Sequence, residues 1–414
     1  MCALYKQKIA RQKVISSSPH IPLLKSYIHA WRENEKKSAS SVVDAIVAVK
    51  YQAKQATVRV LLDVDEKREK SWTLFCEHGF IIEKKENKKI QSYTSTQKTV
   101  VLSAKKNIIT VNGKSAESPL VIIKPRTGYI TFNEKAYKGS FIGAVYEDTL
   151  YFMNALPLEE YITAVVHSET WPGWPLEVNK VFAIASRSYV LAMMRQAERS
   201  GRLYHIKDTN QHQRYNLYGV EHPDSVVKAV QQTEGVFLSY NNEPIVAMFD
   251  CCCGGIIPAH IAHVNFQEAP YLARTYACTF CKKCSLYQWK AEYDFASFEH
   301  IISREKKLHQ RMNDIVVAKK DRAGLVQEVC IKGKGRGSVL CTLTGKQFYS
   351  LFDSIKSFHF NVQKKGGKVI INGRGFGHHL GLCQWGCPEM VRRGWDYRAI
   401  LQFFYPDTTF MKLL

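Results

Sequence analysis

The stretch from Leu156 to Arg195, LPLEEYITAVVHSETWPGWPLEVNKVFAIASRSYVLAMMR, limits what this chain can fold into more tightly than any other. It holds two helical patterns, each opened by a proline and an acidic first turn, joined by a short aromatic, proline-rich loop. Pro157 suits the first helical position, where its missing N–H costs nothing, and Glu159 and Glu160 suit the positive end of the helix dipole. Pro175 and Glu177 repeat that signal for the second helix. Along the second helix Val178, Val181, Phe182, Ala185, Ser188, Tyr189 and Ala192 fall on one face, which reads as buried. Glu177, Lys180, Ile184 and Arg187 form another stripe, with Lys180 and Arg187 seven residues apart on the same side. Such a basic pair either holds an anionic ligand or forms a solvated face. The loop carries one carboxylate, Glu169. Desolvation between tryptophans raises a carboxylate pKa, as a general acid near neutral pH requires; the alternative is a solvated loop glutamate.

The rest of the chain divides around this stretch. Residues 1–55 are basic and Ser/Lys-rich, with one amphipathic pattern over Ile21–Trp31, and read as an N-terminal extension. Residues 56–155 switch to period two. Val58–Leu62, Trp72–Cys76, Thr99–Leu102, Asn107–Val111, Leu120–Lys124, Tyr129–Phe132, Phe141–Tyr146 and Thr149–Asn154 are short β-rich runs separated by turn residues such as Asn112-Gly113. They predict an antiparallel, barrel-like or sheet lobe. From 156 to 414 helices and strands mix. Asp224–Thr233 reads as a helix, and Val236–Tyr240 with Pro244–Asp250 as a hairpin over Asn241-Asn242. A charged helix over Ser297–Gln310, strands flanking Lys332–Gly337, and a short helix over Gly345–Phe352 read as supporting structure. The glycine-rich Lys332–Gly337 lacks the spacing of a phosphate-binding loop. The fold class expected is therefore α+β: an antiparallel β-rich N-terminal lobe packed against a mixed α/β region that contains the helix–loop–helix.

With 58 Lys and Arg against 37 Asp and Glu, the formal net charge is +21, which implies an acidic partner such as nucleic acid, anionic lipid or a carboxylate-bearing glycan. The basic residues do not cluster into an aromatic-interleaved patch, so nucleic acid is not the expected partner. No run reaches the roughly 18 apolar residues of a membrane span, and no signal-peptide core is evident. The 12 cysteines are clustered rather than spread as in a secreted disulfide scaffold. Cys251, Cys252 and Cys253 are consecutive, and Cys278-x-x-Cys281-x-x-Cys284 follows. Zinc bound by Cys278, Cys281, Cys284 and one of the three, with Cys253 the chosen member, is one reading; disulfides among the same residues are its rival. His260 and His263 are alternative ligands.

The last segment, INGRGFGHHLGLCQWGCPEMVRRGWDYRAILQFFYPDTTF, holds five glycines between Gly373 and Gly386. They let the backbone run close to a ligand or another chain, with His378, His379, Gln384 and Trp385 displayed on the loop. Helices over Pro388–Arg393 and Tyr397–Phe404, the second capped by Asp396, complete it.

Two of these segments together resemble the stage II sporulation protein D (SpoIID/LytB) family. The helix–loop–helix is similar to that family's, and GRGFGHHLGLCQWGCPEMVRRGWDYRAILQFFYP to its closing GRGxGHGxGxSQWGA motif. VVKAVQQTEGVFLSYNNEPIVAMFDCCCGG and Pro270–Leu272 fall in the expected order between them, so the resemblance spans about 130–414. Phe182 replaces a family glutamine, His379 a glycine, Cys383 a serine, Cys387 an alanine, and Asp250 an occasional histidine.

The resemblance implies a peptidoglycan lytic transglycosylase, a lyase that cleaves MurNAc–GlcNAc bonds and leaves 1,6-anhydro ends. It implies Glu169 as acid and then base, with Arg187 beside it, and Lys180, His378, Gln384 and Trp385 as glycan-binding residues. It further implies peptide-free glycan strands as substrate, cooperation with an N-acetylmuramoyl amidase in septal or envelope remodelling, and action in the bacterial periplasm or cell envelope. A non-catalytic glycan-binding enhancer of an amidase is the other reading that the resemblance allows.

Overall fold

The computed structural model describes residues 56–413 apart from 68, 87–88, 106, 209–212, 214, 216–221 and 336–337. The extension over 1–55 and its Ile21–Trp31 helix lie outside the described residues. The fold is α+β with mainly antiparallel sheets.

Two sheets form the N-terminal lobe. One has seven strands in the order Ile206–Lys207, Thr57–Asp65, Thr149–Pro157, Ser140–Tyr146, Leu120–Pro125, Phe80–Glu86 and Lys89–Ser95. The other has six, in the order Lys135–Tyr137, Ile130–Phe132, Ser71–Phe75, Thr99–Lys105, Ile108–Val111 and Lys114–Ser115. All the pairings are antiparallel except that of Ile206–Lys207 with Thr57–Asp65. Each of the eight expected runs overlaps one of these strands, with Cys76, Asn107 and Tyr129 falling just outside theirs. The period-two pattern is explicit in Ser71–Phe75, where Trp72 and Leu74 point inward and their neighbours outward. Between the sheets Trp72 stacks on Phe152 at 4.6 Å, and Phe132 meets the same ring edge-on at 4.9 Å.

The sheets are in close contact at Gly143. A Cβ there would lie 2.6 Å from Leu102 Cδ2 of the facing sheet. Gly143→Ala is therefore expected to cost about 1–3 kcal/mol through overpacking. A chemical denaturation series checks this: the midpoint should fall with the slope unchanged.

Among the described residues seven helices follow or punctuate the strands: α1 (Leu158–Glu169), α2 (Leu176–Arg199), α3 (Asp224–Gln232), α4 (Phe295–Lys306), α5 (Gly345–Leu351), α6 (Gly386–Arg392) and α7 (Tyr397–Phe404). The first two open one residue after their prolines, which stand at the N-cap and not at the first helical position. α2 is buried on nearly every side from Val178 to Leu191, including Ile184, Ser186 and Arg187, so it is the central helix and not a two-faced one. The second stripe faces protein because α1, α3, α7 and the strand Val236–Tyr240 all pack on α2. The core of the β lobe runs without a break into these helices. A second core, built on Phe298, Phe348, Phe352 and Phe360, holds together α4, α5 and the strands between Gln288 and Arg374.

The expected hairpin is shorter than the pattern implied. Asn241 and Asn242 both take positive φ, as a two-residue hairpin turn requires, but Val236–Tyr240 pairs only with Glu243–Pro244. Its other edge is taken by Thr409–Lys412. Phe249–Asp250 instead lies parallel to Leu382–Cys383, which brings the closing segment alongside the three consecutive cysteines.

Candidate active site and a neighbouring thiol cluster

Glu169 is the last residue of α1, not a loop residue, and it is half-buried. A helix C-terminus carries partial negative charge, so the position disfavours a further negative charge. Gln384 comes to it from the closing segment: its Nε2 donates to Glu169 Oε2 at 3.3 Å. The Gln384 amide donates to the Asp250 carbonyl at 2.9 Å and the Trp385 amide to that of Cys251 at 3.1 Å, so strand pairing sets this reach. Trp385 lies 5.8 Å from Trp171 and 6.0 Å from Trp174, ring centre to ring centre. Its indole N–H has no hydrogen-bond partner among the described residues. Phe182, at the position of the family glutamine, is fully buried against Trp174 and Phe249. The result is one carboxylate and one amide beside three tryptophans.

Arg187 is not part of this group. Its Nε and Nη2 form a bidentate pair with Glu159 at 2.9 and 2.5 Å, and Nη1 donates to the Val236 carbonyl at 2.8 Å. Glu159 also accepts from the Gly235 amide. Glu159 lies ten residues before Glu169, or about 15 Å along a helix, and Arg187 is a similar distance into α2. The helical stripe gives direction around the axis but not distance along it, so the expectation that Arg187 stands beside Glu169 is corrected. It joins the start of α1 to α2 and to the strand Val236–Tyr240.

Lys180 is also engaged. Its Nζ pairs with Glu177 at 2.6 Å and sits 5.5 Å from the centre of the Tyr397 ring, while the second Glu177 oxygen accepts from the Tyr397 amide. These contacts fasten α2 to the start of α7. His378 Nδ1 accepts from the Leu380 amide and Nε2 donates to the Phe249 carbonyl, so both ring nitrogens are engaged with backbone. Gln384 and Trp385 are thus the members of the expected binding set that the structure brings to Glu169.

His379 takes φ +67°, the left-handed region, which accounts for the family's glycine there. Its amide donates to Asp250 Oδ2 at 2.7 Å and its Nδ1 faces the Cys253 carbonyl at 3.0 Å. Burial pushes its imidazole down to about 3, so it is neutral. Burial likewise holds the Asp250 carboxyl well above the usual range, against the pull of the His379 amide. Gly377 has to be glycine, since a Cβ would fall 2.4 Å from that of Asp250.

Behind this layer the sulfurs of Cys253, Cys278, Cys281 and Cys383 lie within 4.8 Å of one another, all buried. Three of them were expected together. Cys284 was expected as the fourth and is not in the group: it ends the 3-10 turn Phe280–Lys283 with extended backbone, and its sulfur accepts from the Leu286 amide at 3.4 Å. Cys383 stands in its place. The sequence marks Cys383 only as a departure from the closing motif's serine, and its proximity to Cys253 depends on strand pairing. His260 and His263 are not in the group either.

A family model described as stage II sporulation protein matches residues 146–240, which include α1, Glu169 and α2. An uncharacterized protein of Brachyspira hyodysenteriae is 26% identical over 314 residues, covering 75% of this chain and 81% of its own. Stage II sporulation protein D of Bacillus subtilis is 26% identical over 276 residues, covering 64% of this chain and 77% of its own. The amidase enhancer of Bacillus subtilis is 25% identical over 296 residues, which is 60% of this chain and 40% of that protein. By this match residues 146–240 carry the domain of the stage II sporulation protein D (SpoIID) family, and the relatives extend the similarity over most of the chain.

Proposed function

We propose that the chain is a peptidoglycan lytic transglycosylase with Glu169 as its acid and base. The observation that carries this reading is the hydrogen bond from Gln384 to Glu169, which joins the family's two characteristic segments over one carboxylate. Protonated Glu169 donates its proton to the glycosidic oxygen as the bond from the MurNAc anomeric carbon breaks. The resulting carboxylate then accepts the proton of the MurNAc 6-hydroxyl as that oxygen closes onto the same carbon. Water is not consumed and no second carboxylate is needed, unlike in a hydrolase. Other carboxyls of this region have structural partners: Glu177 holds Lys180 and the Tyr397 amide, Glu159 holds Arg187, and Asp250 is buried against the His379 amide. Trp171, Trp174 and Trp385 supply apolar faces for sugar rings, and Gln384 orients Glu169.

The acidic substrate is peptide-free glycan, whose lactyl carboxylates suit a chain of net charge +21. This role belongs in the periplasm or cell envelope, during septal or wall remodelling alongside an N-acetylmuramoyl amidase. Among the described residues no helix is long and apolar enough to cross a membrane. Incubation with peptide-free glycan strands, followed by mass spectrometry, tests the reading: 1,6-anhydro ends should accumulate. The relative named amidase enhancer favours a second reading, a glycan-binding partner of an amidase. Glycan binding and amidase stimulation without new ends would select it.

A further inference from the structure

We propose that Cys253, Cys278, Cys281 and Cys383 bind one Zn2+ ion as a tetrahedral tetrathiolate site, and that this ion holds Gln384 in place. The four residues come from three separate parts of the chain: the turn after Phe249–Asp250, the 3-10 turn Phe280–Lys283 with the residues just before it, and the end of Leu382–Cys383. Their sulfurs lie close together. The Cys253–Cys281 separation is 3.6 Å, and no pair in the set exceeds 4.8 Å. Zn–S bonds of about 2.3 Å in a tetrahedron put sulfurs about 3.8 Å apart. Disulfides would need sulfurs in pairs; four lying close together is what a single ion needs.

The surroundings suit thiolates bound to metal. The Cys253 amide donates to Cys383 Sγ at 3.3 Å. Gly386 makes room, since a Cβ there would lie 3.3 Å from Cys278 Sγ and 3.5 Å from Cys383 Sγ. Four thiolates and Zn2+ carry a net charge of about −2.

The link to the active site is covalent. Cys383 immediately precedes Gln384, whose side chain reaches Glu169. An ion held from Cys253, Cys278 and Cys281 therefore ties the closing segment to the middle of the chain directly behind the acid. The site holds whether or not the chain cleaves glycan.

The test uses the full chain, purified under reducing conditions without chelator. Elemental analysis should find one zinc per chain, and Co2+ exchange should give the absorption of a tetrahedral thiolate site. Titration with an organomercurial should release the ion after four thiols have reacted. Cys383→Ser should lower affinity by about 100-fold or more, whereas Cys284→Ser should retain the ion. Glu169→Gln should also retain it, which separates the site from the proposed activity. Free thiols without metal, a Cys253–Cys281 disulfide, stoichiometric iron, or loss of zinc on Cys284→Ser but not Cys383→Ser would each overturn the proposal. If Cys383→Ser fails to fold, the wild-type stoichiometry and the Co2+ spectrum still decide.

Discussion

Glu169→Gln is expected to lower the rate of 1,6-anhydro end formation by about 10³-fold or more. General acid–base catalysis by one positioned group contributes about 10²–10⁴-fold, and here the same carboxyl is required twice. The amide is nearly isosteric, and its oxygen still accepts from Gln384 Nε2, so stability should change by no more than about 0.5 kcal/mol. Initial rates on peptide-free glycan, with thermal unfolding as the control, measure both. Gln384→Ala should be milder, about tenfold, because it leaves the acid present but less well oriented. A Glu169→Gln protein that still produces anhydro ends at near wild-type rate would remove Glu169 from the chemistry. One that binds glycan and stimulates an amidase as well as wild type does would favour the enhancer reading.

The elements around this acid were legible in the sequence where local chemistry determines them. Pro157 and Pro175 mark the two helix starts, and Asn241-Asn242 marks the tight turn. The strands of the β lobe follow period two wherever one face is buried. The hairpin of Phe80–Glu86 with Lys89–Ser95 was not legible, because after Phe80–Ile82 its sequence is mostly charged and polar and shows no apolar alternation. What long-range pairing creates was hidden altogether. Cys383 joins Cys253 across 130 residues through the pairing of Phe249–Asp250 with Leu382–Cys383, and no local spacing reports that. The Cys-x-x-Cys-x-x-Cys run pointed to Cys284, but the 3-10 turn ends there and the chain leaves in an extended conformation. His379 shows the reverse case. Its motif position was recognised, and the positive φ supplies the reason for glycine there, yet its buried bonds to Asp250 and Cys253 appear only in the fold.

The second large effect concerns Arg187. Arg187→Met is expected to destabilise the protein by about 3 kcal/mol, toward the lower end of the range for removing one partner of a buried ion pair. Its guanidinium is fully buried, and Glu159 retains some solvent contact, so the stranded carboxylate is partly relieved. The loss also removes the bond to the Val236 carbonyl, and with it part of the junction between α2 and the strand Val236–Tyr240. Glu159→Gln should cost at least as much, because it leaves the fully buried cation without its counter-charge and turns one of the two accepting oxygens into an NH2 that faces the guanidinium. In the double variant Glu159→Gln/Arg187→Met the two losses should not add, since both act on the same bidentate contact. Equilibrium denaturation of the four proteins gives the coupling energy. Activity separates this role from a chemical one: below its own unfolding transition, Arg187→Met should keep the wild-type pH profile and a rate within about tenfold. Glu169→Gln should instead lose its rate with stability unchanged. A stable Arg187→Met protein that has lost activity as Glu169→Gln does would return the arginine to the reaction, despite its position at the far end of α1.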